Sequence, residues 1–238
     1  MQEANAPGSC LKSGREGIPD RFSAKTTKPD AGIPIGYFKE GLARLQPEPD
    51  GRAHAPLFKQ LPWLVAGLGN PGAEYENTYH NAGAQALRAI AASLENDGET
   101  HWSVHKKLFS YARISRWILV QPLTFMNVSG IAVREAAKKF NIPASHIILI
   151  HDDSDLSLGT WKISRGRGAA GHHGVESTVT ALGTNDFTRI RIGIRPVGER
   201  VRKKAEDFVL KPITKRSAAI LEETFTAIAR ALETGTLI

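Results

Sequence analysis

The sequence predicts a single three-layer α/β/α domain with a mixed, mostly parallel sheet, over residues 61–238. Three observations carry that prediction. Short apolar runs of strand length stand at residues 64–66, 117–120 and 146–150. Between and after them, apolar residues recur at helical spacing. Strands alternating with helices bury a sheet between two helical layers, and no internal repeat marks a second domain.

Residues 1–60 have no sustained periodicity and carry Pro or Gly every few positions, so a disordered leader is expected there. Regularity starts at Leu61. Leu64-Val65-Ala66 reads as a buried strand, ended by a Gly69/Pro71/Gly72 turn that carries Asn70. Tyr75 follows, and His80-Asn81 opens a helical stretch in which Leu87, Ile90, Ala91 and Leu94 share one face. Residues 108–114 and 117–120 read as neighbouring strands joined at Ser115-Arg116. After the loop QPLTFMNVSG, Val133, Ala136, Ala137 and Phe140 trace a second helix, stopped by Asn141 and Pro143. Residues 146–150 form an apolar strand expected to end at His151-Asp152-Asp153. A Gly-rich loop, 165–174, leads into a short helix closed by Gly183. In FTRIRIGIR, Ile190, Ile192 and Ile194 fall on one strand face and Arg189, Arg191 and Arg195 on the other. Leu221, Phe225, Ile228 and Leu232 mark the last helix.

The composition, 41% hydrophobic and 23% charged over 238 residues, is that of a soluble globular chain. No apolar run approaches the roughly eighteen residues that span a bilayer. One cysteine, Cys10, excludes an intramolecular disulfide and fits a reducing compartment. Of the net charge of +7, only +2 lies in residues 1–60, so the folded part carries a basic excess suited to an anionic partner, nucleic acid above all. A transit peptide is Arg-rich and nearly free of acids, whereas Glu3, Glu16 and Asp20 come early here. The expected location is cytoplasmic or mitochondrial, and with no heptad or exposed apolar stripe the expected state is a monomer.

Gly67-Leu68-Gly69-Asn70-Pro71-Gly72 satisfies the dinucleotide pattern G-x-G-x-x-G. That motif needs a helix to start inside the glycine run. Pro71 interrupts it, and the helical pattern begins only near Tyr79, so nucleotide binding is disfavoured. His80 has the chemistry of a general base at neutral pH. An isolated histidine is more often a surface or capping residue, but Asp152, expected at the end of a buried strand, could hold one imidazole nitrogen and leave the other free for water. Asp152, Asp153 and Asp155 could instead bind Mg²⁺, but nothing nearby completes a ligand set, and turn roles suit Asp153 and Asp155 better. His101 and His105 are spaced i, i+4 without a further ligand, which disfavours zinc. Asn127 could line a cleft or cap the helix ending at Phe140, a role Ser129 could fill equally. The four glycines of RGRGAAGHHG allow close backbone approach to a ligand. Arg165, Arg167, Arg189, Arg191 and Arg195, with Lys203 and Lys204 beyond, are candidates for phosphate contact; a solvated strand face is the plainer reading of the three on the strand.

GLGNPGAEYENTYHNAG, PLTFMNVSG, HDDSDLSLG, GHHG, RIRIGI and DFVLKP stand in the order found in the bacterial-type peptidyl-tRNA hydrolase family, which this chain resembles across residues 61–211. The resemblance implies cleavage of the ester between a peptide and the 3′ ribose of tRNA, with no metal or organic cofactor and with peptidyl-tRNA as partner. It implies His80 as the catalytic base, Asp152 as its support and Asn70 as the asparagine that recognises the blocked substrate. Tyr75, Phe125 and Asn127 match substrate-contacting residues. One position departs: the family usually reads G-H-N-G, and here His173 takes the place of the asparagine. An imidazole is bulkier than a carboxamide and changes with pH. A non-catalytic RNA-binding homologue, like the plastid splicing relatives, is the alternative that this departure suggests.

Overall fold

The computed structural model describes residues 61–95, 100–196 and 208–236. The expected leader, Lys203 and Lys204 lie outside the described residues. All described residues belong to the unit Leu57–Ile238.

Seven strands form one sheet in the order β2-β3-β4-β1-β5-β7-β6. They are β1 (Trp63–Gly67), β2 (Ser103–His105), β3 (Phe109–Ile114), β4 (Trp117–Pro122), β5 (Ile147–Ser157), β6 (Trp161–Arg165) and β7 (Thr188–Arg195). The central four, β4-β1-β5-β7, are parallel, and β2, β3 and β6 add antiparallel edges. Among the described residues five α-helices accompany them: α1 (Ala73–Glu76), α2 (Ala82–Leu94), α3 (Ser129–Phe140), α4 (His173–Leu182) and α5 (Lys215–Glu233).

The period-two alternation of the central strands splits the core in two. Val65, Leu119, Ile148, Ile150, Ile190 and Ile192 face Leu87 and Ile90 of α2 and Phe225 and Ile228 of α5. Leu64, Ala66, Ile118, Val120 and Leu149 face Val133 and Ala136 of α3 and Val175 of α4. The expected three layers are present, with α2 and α5 on one side of the sheet and α3 and α4 on the other.

Two expectations are corrected, and both concern the site. First, β5 does not end at His151. It runs on to Ser157, because β7 continues to pair with it beyond Ile150 (Asp152 opposite Ile192, Ser157 opposite Arg195). The neighbour on its other side, β1, stops at Gly67 opposite Ile150. His151, Asp152 and Asp153 therefore lie on a strand with one side vacated by β1, and a cleft opens there. Second, the arginine face of β7 is not a solvated stripe. An antiparallel strand absent from the sequence reading, β6, flanks it, and the loop after β6 folds back over it.

Glycines set how closely the helices approach. A Cβ on Gly83 would overlap the Ile150 carbonyl, and one on Gly130 would overlap the Ser177 carbonyl. The first lets α2 start directly against the strand ends; the second lets α3 cross hard on α4.

Candidate active site

His80 lies in a single 3-10 turn, Tyr79–Asn81, just ahead of α2. Its backbone N–H donates to the Val209 carbonyl at 2.8 Å, and the Ile213 N–H donates to Asn77 at 2.8 Å, so the segment before α5 holds this turn in place. Tyr79 anchors it again through its hydroxyl, 2.9 Å from Ser217 Oγ. The imidazole keeps 13% of its surface exposed, and its Nδ1 lies 3.0 Å from Asp152 Oδ1. Burial draws the His80 pKa down, but the Asp152 hydrogen bond and charge outweigh it, leaving the pKa above its ordinary value of 6.5. With Nδ1–H given to the carboxylate, Nε2 is left with a lone pair.

The same Asp152 oxygen accepts a second imidazole. His172 Nε2 stands 3.0 Å from Asp152 Oδ1. The tautomer follows from the other nitrogen: His172 Nδ1 accepts the N–H groups of Gly174 (3.1 Å) and Val175 (3.4 Å), forming the N-cap of α4. A nitrogen that accepts cannot carry the proton in a neutral ring, so Nε2–H donates to Asp152. Burial would raise the Asp152 carboxyl pKa, but His172, by charge and hydrogen bond, and then His80 hold it well below the carboxylate range. Asp152 thus joins the two helical layers over the end of β1, His80 from the α2 side and His172 from the α4 side.

His151 is buried behind them, its ring edge-on to His172 at 4.7 Å. Its Nδ1 donates to the Asp152 carbonyl at 2.7 Å, and its Nε2 has no hydrogen-bond partner among the described residues. Burial first, then the nearby His172, keep it neutral, with a pKa well below 6.5. His80, His151, Asp152, His172 and His173 line one cavity of about 350 Å³.

Asn70 is locked from three directions. Asn81 accepts the Asn70 N–H on Oδ1 (2.8 Å) and donates Nδ2–H to the Asn70 carbonyl (3.0 Å). Asn70 Oδ1 accepts the Met126 N–H at 2.8 Å. With that oxygen engaged, the side chain has its Nδ2 hydrogens left to offer. Tyr75 and Phe125 meet edge to face at 6.3 Å, with Phe125 55% exposed. Asn127 is exposed and caps nothing: α3 has no side-chain cap, and the Ser129 hydroxyl donates to the Met126 carbonyl. His173 is exposed, 3.4 Å from Glu176.

The basic candidates separate. Arg189 is only 3% exposed, and its guanidinium donates to the Gly168 and Arg167 carbonyls. It is a structural residue, buried because the returning loop needs donors for its carbonyls. Arg191 Nε pairs with Asp153 Oδ2 at 2.6 Å, and Arg195 Nε donates to the Ser154 carbonyl at 2.6 Å. Asp153 also accepts the Asp155 N–H, the expected turn role. Arg165 pairs with Asp186 at the Thr188 end of β7, the end away from Asp152, and Arg167 is exposed.

His80, Asp152 and His172 place ligand atoms within 4.8 Å of one another. Both imidazole N–H groups point at one oxygen, however, so a cation there would have to displace two protons. The donor set is arranged for holding protons.

The Peptidyl-tRNA hydrolase family model matches residues 64–236. The chain belongs to that family. Among relatives, the peptidyl-tRNA hydrolase of Marinobacter nauticus is 41% identical over 174 residues, covering 71% of this chain and 86% of the relative. That of Nocardia farcinica is 40% identical over 184 residues, covering 73% and 92%. The crystal structure of peptidyl-tRNA hydrolase from Acinetobacter baumannii superposes with a TM-score of 0.62 at 27% identity, over 74% of this chain and 90% of that one. The matched span takes in every element of the cleft, from β1 to α5. In this family member the pairing of His80 with Asp152 is legible in the sequence, whereas the parts played by His172, His151 and Asn81 are not. The signal for His172 was its position: it directly precedes a helix, where a side-chain acceptor is needed.

Proposed function

We propose that this chain hydrolyses the ester of peptidyl-tRNA, with His80 as general base, Asp152 as its support and Asn70 as donor to the substrate. The observation that supports it is the His80–Asp152 bond, which commits one imidazole nitrogen and leaves the other as a lone pair beside the cavity. His80 Nε2 takes a proton from water, and the water oxygen bonds to the ester carbonyl carbon. The negative charge that develops on the carbonyl oxygen is met by N–H donors, the Asn70 amide being the one already oriented. The tetrahedral species collapses by breaking the bond to the ribose 3′ oxygen, which receives the proton from His80. The products are a free 3′ hydroxyl and a peptide carboxylic acid, which gives up its proton to solvent to become the carboxylate.

Tyr75 and Phe125 offer an aromatic pair to the substrate, and Asn127 and His173 add polar contacts to it. Arg167, exposed on the loop after β6, and Arg195 would meet the tRNA backbone, with Lys203 and Lys204 in the same role. No described helix is long and apolar enough to cross a membrane. The enzyme works as a monomer where translation runs, in the cytoplasm or mitochondrion; gel filtration and fractionation test those two statements. Hydrolysis in heavy-oxygen water tests the chemistry. Label is expected in the released carboxylate, and none should be released by His80→Ala. Binding of the substrate without release would favour an RNA-binding homologue instead.

A further inference from the structure

Tyr79 and His80 are consecutive residues of the 3-10 turn Tyr79–Asn81, and they point different ways. His80 lines the cleft cavity, whereas Tyr79 is 6% exposed and belongs to the core that α2 shares with α5. Three residues complete a 3-10 turn, so neighbours stand roughly 120° apart, and fixing one fixes the direction of the next. Among the described residues no side chain caps this turn. Backbone bonds to Val209 and from Ile213 fasten the chain after and before Tyr79. The Tyr79 ring meets Phe208 edge to face at 6.2 Å, and its hydroxyl donates to Ser217 Oγ at 2.9 Å. Ser217 is buried in the first turn of α5. Thr214, the N-cap of that helix, donates to the same Oγ at 2.9 Å and accepts the Ser217 N–H at 3.2 Å.

The core has no need of these hydroxyls. Burying a hydroxyl costs free energy that its hydrogen bond only offsets, and exchanging both partners for apolar groups leaves stability nearly unchanged. What a satisfied buried pair adds is a unique geometry. We propose that Tyr79 is a positioning residue for the hydrolysis: the Tyr79–Ser217–Thr214 hydroxyl chain sets the direction of the His80 imidazole from the first turn of α5. The proposal rests on the hydrolase reading above. Direction matters because His80 must satisfy two partners at once, Asp152 at 3.0 Å on Nδ1 and the attacked water on Nε2. A turn released from Ser217 keeps its backbone bonds, so the cleft and its substrate contacts stay. What changes is the aim of one ring. The loss therefore falls on kcat rather than KM, since a misplacement of about 1 Å can cost about a hundredfold in rate.

The test measures kcat, KM and Tm with N-acetyl-aminoacyl-tRNA for wild type, Tyr79→Phe, the double variant Tyr79→Phe with Ser217→Ala, and Phe225→Leu. The double variant keeps the Thr214 cap, which uses a backbone N–H, and its Tm is expected within about 2 °C of wild type. Its kcat should fall about tenfold with KM unchanged. The midpoint of kcat/KM against pH should also move down, because a misdirected His80 loses part of the Asp152 contribution while staying buried beside Asp152 and His172. Phe225→Leu, a core change farther along the same helix, should lower Tm and leave kcat as it is. Tyr79→Phe alone should show the same loss of kcat, and it decides the matter if the double variant does not fold. Three results overturn the positioning role while leaving the hydrolase standing: wild-type kcat and pH midpoint in the Tyr79 variants, a change confined to KM, or an equal loss of kcat in Phe225→Leu. Failure of wild type to cleave the substrate overturns the hydrolase reading, and this role with it.

Discussion

Asp152 accepts two imidazole N–H groups on one oxygen, so its charge serves two jobs: it raises the basicity of His80 and it fixes the histidine that caps α4. Asp152→Asn should lower kcat by about 10²–10⁴, the range for losing a positioned acid–base partner. The pH profile separates this from misfolding. Activity needs neutral His80, whose pKa is raised, so kcat/KM should climb as pH rises through a midpoint above 6.5. In Asp152→Asn the raising influence is gone while burial remains, so the midpoint should move to lower pH. His172→Ala removes the cap and should cost about 0.5–2 kcal/mol in denaturant unfolding. His151 contributes with the opposite sign. It stays neutral when folded but takes a proton at its ordinary value of 6.5 when unfolded, so stability falls as pH drops below that point. His151→Phe should flatten the loss of Tm between pH 7 and 5, read by thermal denaturation at each pH. At this scale the sequence shows chemistry but not distance. His80 and Asp152 stood out by residue type and by their place after apolar runs. His172 did not, because its role is defined by two backbone N–H groups that only the folded α4 presents.

Among the elements, the unequal length of two neighbouring strands opens the cleft. β1 ends opposite Ile150, while β5 continues for seven residues alongside β7. An apolar run marks the buried part of a strand; past it, β5 exchanges apolar residues for His151-Asp152-Asp153 and keeps its pairing. Hydropathy therefore ended the strand early and placed Asp152 at a tip. β6 was missed for a related reason: as an edge strand with exposed Lys162 and Ile163 it lacks the buried run that identifies β1 or β5. The α3/α4 crossing gives the prediction at this scale. Gly130→Ala puts a methyl group into the Ser177 carbonyl and should cost about 1–3 kcal/mol, the usual range for overpacking. Urea titration reads it. A variant as stable as wild type would mean that the two helices part easily at this crossing.

Across the whole molecule, a basic chain with net charge +7 must meet a polyanion with only part of its arginines. Arg189 is committed to the returning loop, and Arg191 holds Asp153. The strand face that alternation assigned to arginine was placed correctly; its exposure was not, since exposure depends on what the neighbouring segment covers. Affinity for tRNA should still fall log-linearly with salt. Arg167→Ala should make that slope shallower, by roughly 0.7–0.9 for each phosphate that the missing guanidinium no longer neutralises. Arg189→Ala should act through stability instead. Filter binding over a salt series distinguishes them.

The central claim is that His80, held by Asp152, activates water against the ester of a blocked aminoacyl-tRNA. The most direct measurement is release of N-acetyl-amino acid from N-acetyl-aminoacyl-tRNA by wild type and by His80→Ala, with unblocked aminoacyl-tRNA as the parallel substrate. Release from the blocked substrate alone, lost in His80→Ala, is the predicted result. Release that persists in His80→Ala, or tight tRNA binding with no release by wild type, would contradict it.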